Sequence, residues 1–341
     1  MNKILSFLIP AYNSQPYLKK CLDSFIVPEA LDKIEVIVVN DGSTDETPAI
    51  AEEYVIRYPN TFQLLNKING GHGSAINAGV RQISGTYIKV IDADDWIKTE
   101  NLVAILDFLE KSEAQVVLAP YHTVDIQTGE RKKYNIFCEK YQGYYSLKQI
   151  LLRWRDFEHV LSFHGIIYES AFYRKYGISL AEGVFYEDHE YATIPFCRAD
   201  CIAFTSLSFY EYLIGNSHQS MAMENQVKRL NHMEAVINHM VQYYKKQEQM
   251  TEVEQKFFLK KLESLILSYY KVSCLMNPNR KLGRRRCIVQ NGKIFRLIPE
   301  IKNTLSKKYY IFGLISYLGM TYYQYESILS NHLYRRLKRK R

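Results

Sequence analysis

Three times in the first hundred residues, an apolar run ends in a cluster of polar groups and gives way to a helical pattern. Ile4 to Ile9 ends in Pro10-Ala11-Tyr12-Asn13, before helical spacing from Pro16 to Phe25. Ile34 to Val39 ends in Asn40-Asp41-Gly42-Ser43-Thr44-Asp45, before a helix from near Glu46 towards Tyr58. Tyr87 to Ile91 ends in Asp92-Ala93-Asp94-Asp95-Trp96, ahead of a helix beginning near Thr99. Short β-branched runs with little charge read as buried strands. Strands alternating with helices predict an α/β sheet, in which ligands sit at the carboxyl ends of the strands. Here all three carboxyl ends carry polar groups, the pattern of a nucleotide-binding edge.

The acids at these ends suggest the chemistry. Carboxylates at alternating positions, such as Asp92 and Asp94, can converge on a hard cation; Mg²⁺ or Mn²⁺ held so usually meets a substrate phosphate. The plain alternative is an acidic turn or a helix cap, and Asp95 in particular can cap the helix near Thr99. Around Asp41, Gly42 permits a tight turn and Ser43, Thr44 or Asp45 can cap the next helix, which leaves Asp41 without a structural job. A strand-tip aspartate can accept from a nucleobase imide or a ribose hydroxyl. The segment Asn69-Gly70-Gly71-His72-Gly73-Ser74-Ala75-Ile76-Asn77 starts another helix, whose N-terminus favours anions. It is neither the GxGxxG dinucleotide fingerprint nor a phosphate loop with Lys-Ser/Thr. Its His72 reads as a capping or solvent-facing histidine, or as a catalytic one.

At 341 residues, 47% hydrophobic and 23% charged, the chain can bury a full core and form two domains. Its six cysteines are scattered and lack the paired spacing of a zinc site, so they read as core residues in a reducing cytosol. Met1-Asn2-Lys3 leads straight into the first strand, without the pattern of a signal peptide. The longest apolar candidate, Tyr309 to Tyr323, falls short of the ~18–20 residues of a membrane span.

Charge divides the chain. Residues 1–220 hold 20 Lys+Arg against 28 Asp+Glu, whereas residues 221–341 hold 24 against 8, net −8 and +16. The boundary is expected near Gly215-Asn216-Ser217. Before it, Val116 to Tyr145 is β-rich with turns at Asp125 to Gly129, predicting hairpins. Beyond it come helical patterns over Gln226 to Lys246 and Glu252 to Met276, a basic turn at Arg280 to Arg286, and a final amphipathic stretch.

The ordered series LIPAYN, VVNDGSTD, NGGHGSAINAG, VIDADDW and FYEDHEY, over roughly residues 1–220, resembles family 2 glycosyltransferases of the GT-A fold. The resemblance implies a nucleotide-diphospho-sugar transferase fold, α/β with a mixed, mainly parallel sheet flanked by helices. Residues 1–220 would be the catalytic domain, and residues 221–341 a basic, mainly helical extension. It implies an inverting, metal-dependent enzyme using a nucleotide-sugar donor, with uridine favoured by Asp41 as the base-reading carboxylate. Pro10, Ala11, Tyr12 and Asn13 would line the nucleotide pocket, Tyr12 alternatively packing in the core. Gly71, Asn77, Asp92 and Ala93 would complete the donor site. Asp94 would be the direct ligand of Mn²⁺ or Mg²⁺, with Asp92 on the ribose or supporting the metal through water. Asp188 would be the general base with Glu187 beside it, the alternative being an acidic helix start.

By the same resemblance, Ser162 to Ile166 matches a strand near the acceptor, with His164 and Gly165 as contacts. Tyr210 to Ser220 resembles a flexible segment closing over the diphosphate, in which His218 is a metal ligand or a solvent-facing loop histidine. The sequence departs from the family pattern at Ile76 and Asn216, where related chains carry arginine.

Other classes fare worse. A nicotinamide-dependent oxidoreductase would need the glycine fingerprint after its first strand. A haloacid-type phosphatase carries its DxD on the first strand, with a threonine. A non-catalytic saccharide- or nucleotide-binding relic of the same fold is the alternative, against which Asp41, Asp92, Asp94 and Asp188 argue. In the tail, Tyr310, Leu314, Tyr317, Leu318 and Thr321 share a helical face, and Arg335 to Arg341 holds six positive charges in seven residues. No recognised nucleic-acid module accompanies that charge, so no nucleic-acid partner is expected. The tail is either solvated or, as expected here, attracted to anionic lipid. That would place a cytoplasmic enzyme peripherally on the inner face of the cell membrane, near a saccharide or polyprenyl-linked acceptor.

Overall fold

The computed structural model describes residues 3–134, 140–157, 161–177, 179–215 and 223–330. Two compact units emerge, Met1–Ser217 with Met250–Phe258, and His218–Gln249 with Leu259–Arg341.

The first unit begins with β1 (Leu5–Ala11), α1 (Gln15–Asp23), β2 (Ile34–Asn40), α2 (Thr47–Arg57), β3 (Phe62–Asn66), α3 (His72–Val80) and β4 (Tyr87–Val90). Every residue of β1, β2 and β4 is buried, as near-continuous apolar runs in a covered parallel sheet must be. Proline near the start of α1 and of α2 fits positions whose N–H groups have no helical acceptor. Asp45 accepts from the Thr47 N–H at 3.0 Å, so it serves the start of α2 as expected.

After β4 come β5 (Trp96–Ile97), a 3₁₀ turn (Thr99–Asn101), α4 (Leu102–Glu110), β6 (Val116–Leu118), β7 (Tyr121–Asp125), β8 (Arg131–Tyr134) and β9 (Tyr144–Tyr145). Then follow α5 (Leu147–Leu152), α6 (Trp154–Phe157), β10 (Ile166–Glu169), α7 (Ser170–Tyr176), α8 (Asp188–Tyr191), β11 (Ile202–Phe204) and β12 (Tyr210–Ile214). The main sheet has the order β3-β2-β1-β4-β10-β6-β11-β9. Its β3, β2, β1 and β4 run parallel, β10 is antiparallel to both neighbours, and β11 pairs parallel with β6. A second sheet has the order β5-β12-β7-β8. Its β7–β8 hairpin turns where Asp125 accepts from the Gln127 and Thr128 N–H groups and Gly129 takes φ 70°, so this part of the expected hairpin region forms.

Two readings of the sequence change here. Tyr210 to Ile214 is not a flexible closing segment: it is β12, paired parallel with β7 and antiparallel with β5, because Tyr210 and Leu213 bury into the core. Ser162 to Ile166 is not a strand throughout: Phe163–Gly165 forms a 3₁₀ turn and β10 starts at Ile166.

The second unit is helical in its described residues. It contains α9 (Met223–Lys228), α10 (Leu230–Lys246), the latter part of α11 (Glu252–Lys271), a π-turn (Val272–Met276), α12 (Arg280–Leu297), α13 (Lys302–Tyr317) and α14 (Tyr322–Ser330). The expected basic turn at Arg280 to Arg286 is instead the start of α12, capped by Asn279, whose side chain accepts from the Leu282 N–H at 3.0 Å. A Cβ on Gly283 would lie 1.7 Å from the Ser273 carbonyl oxygen, so glycine is what lets α12 touch the π-turn. Cys274 and Cys287 meet there, their sulfurs 3.8 Å apart. Of the described cysteines, Cys21, Cys197, Cys274 and Cys287 are buried and Cys201 is half-buried, so the core expectation holds for four of the five.

Candidate active site

The carboxyl ends of β1 and β2 are tied to each other. The Asp41 N–H donates to the Ala11 carbonyl at 2.9 Å. Asn13, at φ 49°, donates its N–H to Ser43 Oγ and accepts the Thr44 N–H at 2.8 Å. Pro10 and Ala11 are buried within β1, whereas Tyr12 is 54% exposed and so is not a core residue. The Asp41 carboxylate is buried, and one oxygen accepts from Lys67 Nζ at 2.6 Å and from the Gly70 N–H at 2.9 Å. The other accepts from the Gly71 N–H at 2.7 Å. Asp41 therefore has a structural partner that its sequence neighbours do not reveal: it shapes the glycine loop leading into α3.

That loop presses against residues 179–187. Gly71 takes φ 86°, a left-handed conformation that glycine adopts without penalty. A Cβ on Gly73 would sit 2.4 Å from the Ala181 carbonyl oxygen. The Gly183 N–H donates to the Gly70 carbonyl. The Asn77 amide donates to Ser179, Leu180 and Glu182, and its oxygen accepts the Leu180 N–H at 2.8 Å. Its side chain is thus occupied in holding this segment.

At the first residue of α3, His72 joins the two sides. Its Nδ1 lies 2.6 Å from Glu187 Oε1 and its Nε2 lies 2.9 Å from Asp92 Oδ1. Burial opposes charge on the ring, but hydrogen bonds to Asp92 and Glu187 outweigh it and raise its pKa well above the usual histidine value. For Asp92, burial likewise works against ionisation, and the His72 contact overcomes it to leave the pKa lowered. Glu187 goes the other way: burial raises its pKa, with His72 opposing and the Asp188 charge adding to the rise. Glu187 Oε2 is buried with no hydrogen-bond partner among the described residues. Tyr186, at φ 76°, makes the turn that presents Glu187 and Asp188, an unusual conformation for a bulky residue. Asp188 is half-buried at the first position of α8, and its charge acts on Glu187 and His164.

Beneath Asp92 the acids divide. Asp95 is not a helix cap: it is buried, accepts from the Leu213 N–H at 2.8 Å and receives the Tyr210 hydroxyl. Burial raises its pKa well above the carboxylate range, with the Asp94 and Asp92 charges adding to the rise. Ala93 is buried between them. His164 lies among the rings of Tyr121, Tyr210 and Tyr212, the last stacked at 4.2 Å, and burial lowers its pKa to about 4. Gly165 is buried, its carbonyl accepting from the Ala119 N–H. Lys89 Nζ is buried and donates to the Phe163, His164 and Ile166 carbonyls, and burial lowers its pKa to about 7.

Ligand atoms of Asp92, Asp95 and His164 lie within 4.8 Å of one another, and Asp94, half-buried in the turn, is not in this group. His164 Nδ1 is buried without a hydrogen-bond partner among the described residues. Carboxylate oxygens with an imidazole suit Mn²⁺, so the residues present fit the implied cation.

A protein-family model, "Glycosyl transferase family 2", matches residues 6–177, half of the chain. The chain belongs to glycosyltransferase family 2. The uncharacterized glycosyltransferase EpsJ of Bacillus subtilis is 31% identical over 39% of this chain and 38% of its own length. The minor teichoic acid biosynthesis protein GgaB of the same organism is 34% identical over 40% of this chain and 15% of its own. The chain thus matches well under half of these curated relatives. Among solved structures, S. aureus TarS 1–349 in complex with UDP-GlcNAc has a TM-score of 0.53 at 21% identity, covering 84% of this chain and 89% of that one. The mannosyltransferase PcManGT of Pyrobaculum calidifontis, in complex with GDP-Man and Mn²⁺, has 0.52 at 13%, covering 93% and 87%. These likenesses show the GT-A fold.

Within this family 2 chain, Ile76, the first expected departure from the family pattern, is buried in α3. Asn216 and His218 lie outside the described residues. Sequence reasoning missed the bridging role of His72 and the parts played by Lys89 and Tyr210. Lys89 did leave a signal, a lone cation inside the otherwise apolar strand Tyr87–Val90.

Proposed function

We propose that this family 2 enzyme transfers a sugar from a UDP-sugar to a hydroxyl of a saccharide or lipid-linked acceptor, with inversion. The acceptor oxygen attacks the anomeric carbon as its proton passes to the Asp188 carboxylate, and the bond to the β-phosphate oxygen breaks with its electron pair. One observation carries the reading: the strand-tip acid Asp92 and the acid pair Glu187–Asp188 are drawn together through His72. Binding of UDP-GlcNAc by TarS and the teichoic acid assignment of GgaB support a UDP-linked donor and a cell-envelope polymer as product. Asp41 near the β1–β2 tips is the base-reading candidate, and Asp92 with its neighbours would hold Mn²⁺ or Mg²⁺. A bound cation would stabilise the departing diphosphate as a Lewis acid. The chain would work peripherally at the inner face of the membrane. Donor screening by UDP release, with Asp188→Asn alongside, tests the reading; near wild-type turnover by that variant would sink it.

A further inference from the structure

The two outer helices of the second unit present a surface that nothing in the catalytic site uses. α12 buries Gly283, Cys287, Gln290, Asn291 and Ile294 on one side. Its opposite side exposes Lys281, Arg285, Lys293 and Arg296, interleaved with Leu282, Ile288 and Val289. The helix contains seven Lys/Arg residues and no acid. Three of them act inside the unit: Arg280 donates to the Cys274 and Met320 carbonyls, Arg284 to Ser316 Oγ, and Arg286 to Glu234. The four exposed cations form no ion pair with a described residue.

α13 adds the apolar part. It buries Leu305, Phe312 and Ser316 and exposes Tyr310, Leu314 and Tyr317, with Leu318 exposed just past its end and Tyr317 77% and Tyr310 71% accessible. The seam between the helices is fixed by the Arg284–Ser316 bond at 3.1 Å and by Tyr309, whose hydroxyl donates to the Arg284 carbonyl at 3.2 Å. On α12, Lys281, Arg285 and Ile288 lie on the side away from its buried residues, and on α13 Tyr310, Leu314 and Tyr317 do the same.

We propose that this α12–α13 face is a docking surface for an anionic lipid bilayer. It rests on the reading of a membrane-side transferase and names the residues that would make the contact. Tyrosines beside aliphatic side chains suit the boundary between headgroups and acyl chains, and unpaired cations suit acidic headgroups. No helix of the described residues is long and apolar enough to cross a membrane, and the proposed contact is one in the plane of the interface. A second copy fits poorly, because a two-fold contact would set each basic stripe against its own image.

The test uses the full chain with vesicles of phosphatidylcholine alone or mixed with phosphatidylglycerol, sedimented at low and high salt. Binding is expected on the mixed vesicles at low salt, and its loss on pure phosphatidylcholine or at high salt. Lys281→Gln with Arg285→Gln should weaken partitioning about 25-fold, fivefold for each charge removed. Tyr310→Ser with Tyr317→Ser should weaken it as well. Calorimetric UDP binding and the thermal transition should match wild type in both variants, which separates failure of this surface from failure of the transferase reading. Three outcomes overturn the proposal: no wild-type binding to the mixed vesicles, binding of both variants at wild-type strength, or a wild-type dimer that the variants dissociate.

Discussion

Nδ1 of His72 lies 2.6 Å from Oε1 of Glu187, a contact across 115 residues of sequence that ties the start of α3 to the acids at the start of α8. With Nε2 on Asp92, one ring holds the carboxyl groups of Asp92 and Glu187 at fixed separation. Misplacing groups by an ångström can cost a transfer reaction on the order of a hundredfold. His72→Ala should therefore lower kcat about tenfold to a hundredfold while changing donor KM less. His72→Gln, able to keep one hydrogen bond, should recover part of the loss. Steady-state kinetics with UDP release as readout decide this; a loss confined to KM would remove His72 from the positioning role.

Asp188 gives the sharpest loss. Removing a general base costs typically ~10²–10⁴-fold, so on the proposed role Asp188→Asn should lose turnover on that scale while binding UDP as wild type. Asp188 is half-buried at the start of a four-residue helix, so the substitution should leave the thermal transition nearly unmoved. Parallel calorimetry and kinetics check both halves.

Asp41 separates a structural role from a recognition role. Its carboxylate satisfies the Gly70 and Gly71 N–H groups and holds Lys67. Removing a buried acceptor leaves donors unsatisfied at ~1–3 kcal/mol. Asp41→Ala should thus lower stability by about that much as well as weaken UDP binding. A variant that melts like wild type but no longer binds UDP would mean that Asp41 reads the base without shaping the loop.

Much of the first unit could be read from periodicity, because its strands obey it: Ile34–Asn40 and Tyr87–Val90 are apolar runs buried on both faces. Strand tips carried the acids into view for the same reason. α12 was hidden because its buried face includes Gly283, Gln290 and Asn291, so no apolar stripe marks it. β12 was hidden because Glu211 is buried in it, paired with His122 and Arg131 of the neighbouring strands, a pairing that spacing along the sequence does not show. Bridges such as His72–Glu187 depend on chain reversals that spacing along the sequence does not encode.

Acid sensitivity should come partly from the second sheet. His122 on β7 lies 3.2 Å from Glu211 and is also within the fields of Lys98, Arg131 and Lys133. Burial lowers its pKa, with Glu211 opposing. Its folded value thus lies below the unfolded value of about 6.5. As pH falls through that window, the unfolded chain binds the proton first, so stability drops on acidification. His122→Asn should flatten the dependence. Urea midpoints of both proteins near pH 7.5 and about pH 5.5 measure it; an equal drop in both would assign the effect elsewhere.

The last prediction concerns the cation. Family resemblance puts Asp94 on the metal, whereas geometry gathers Asp92, Asp95 and His164. Asp95 already accepts from Tyr210 and Leu213, which limits what it can offer, and His164 Nδ1 is buried without a partner among the described residues. An imidazole whose pKa is about 4 is neutral near pH 7, as a ligand must be. Loss of a ligand or of the group that orients one typically weakens a metal roughly 10–100-fold. Mn²⁺ titrations followed by electron paramagnetic resonance, in the presence of UDP, should show that weakening for both Asp92→Asn and His164→Ala. If His164→Ala binds Mn²⁺ as wild type while Asp94→Asn does not, the metal follows the family pattern and His164 serves the acceptor side instead.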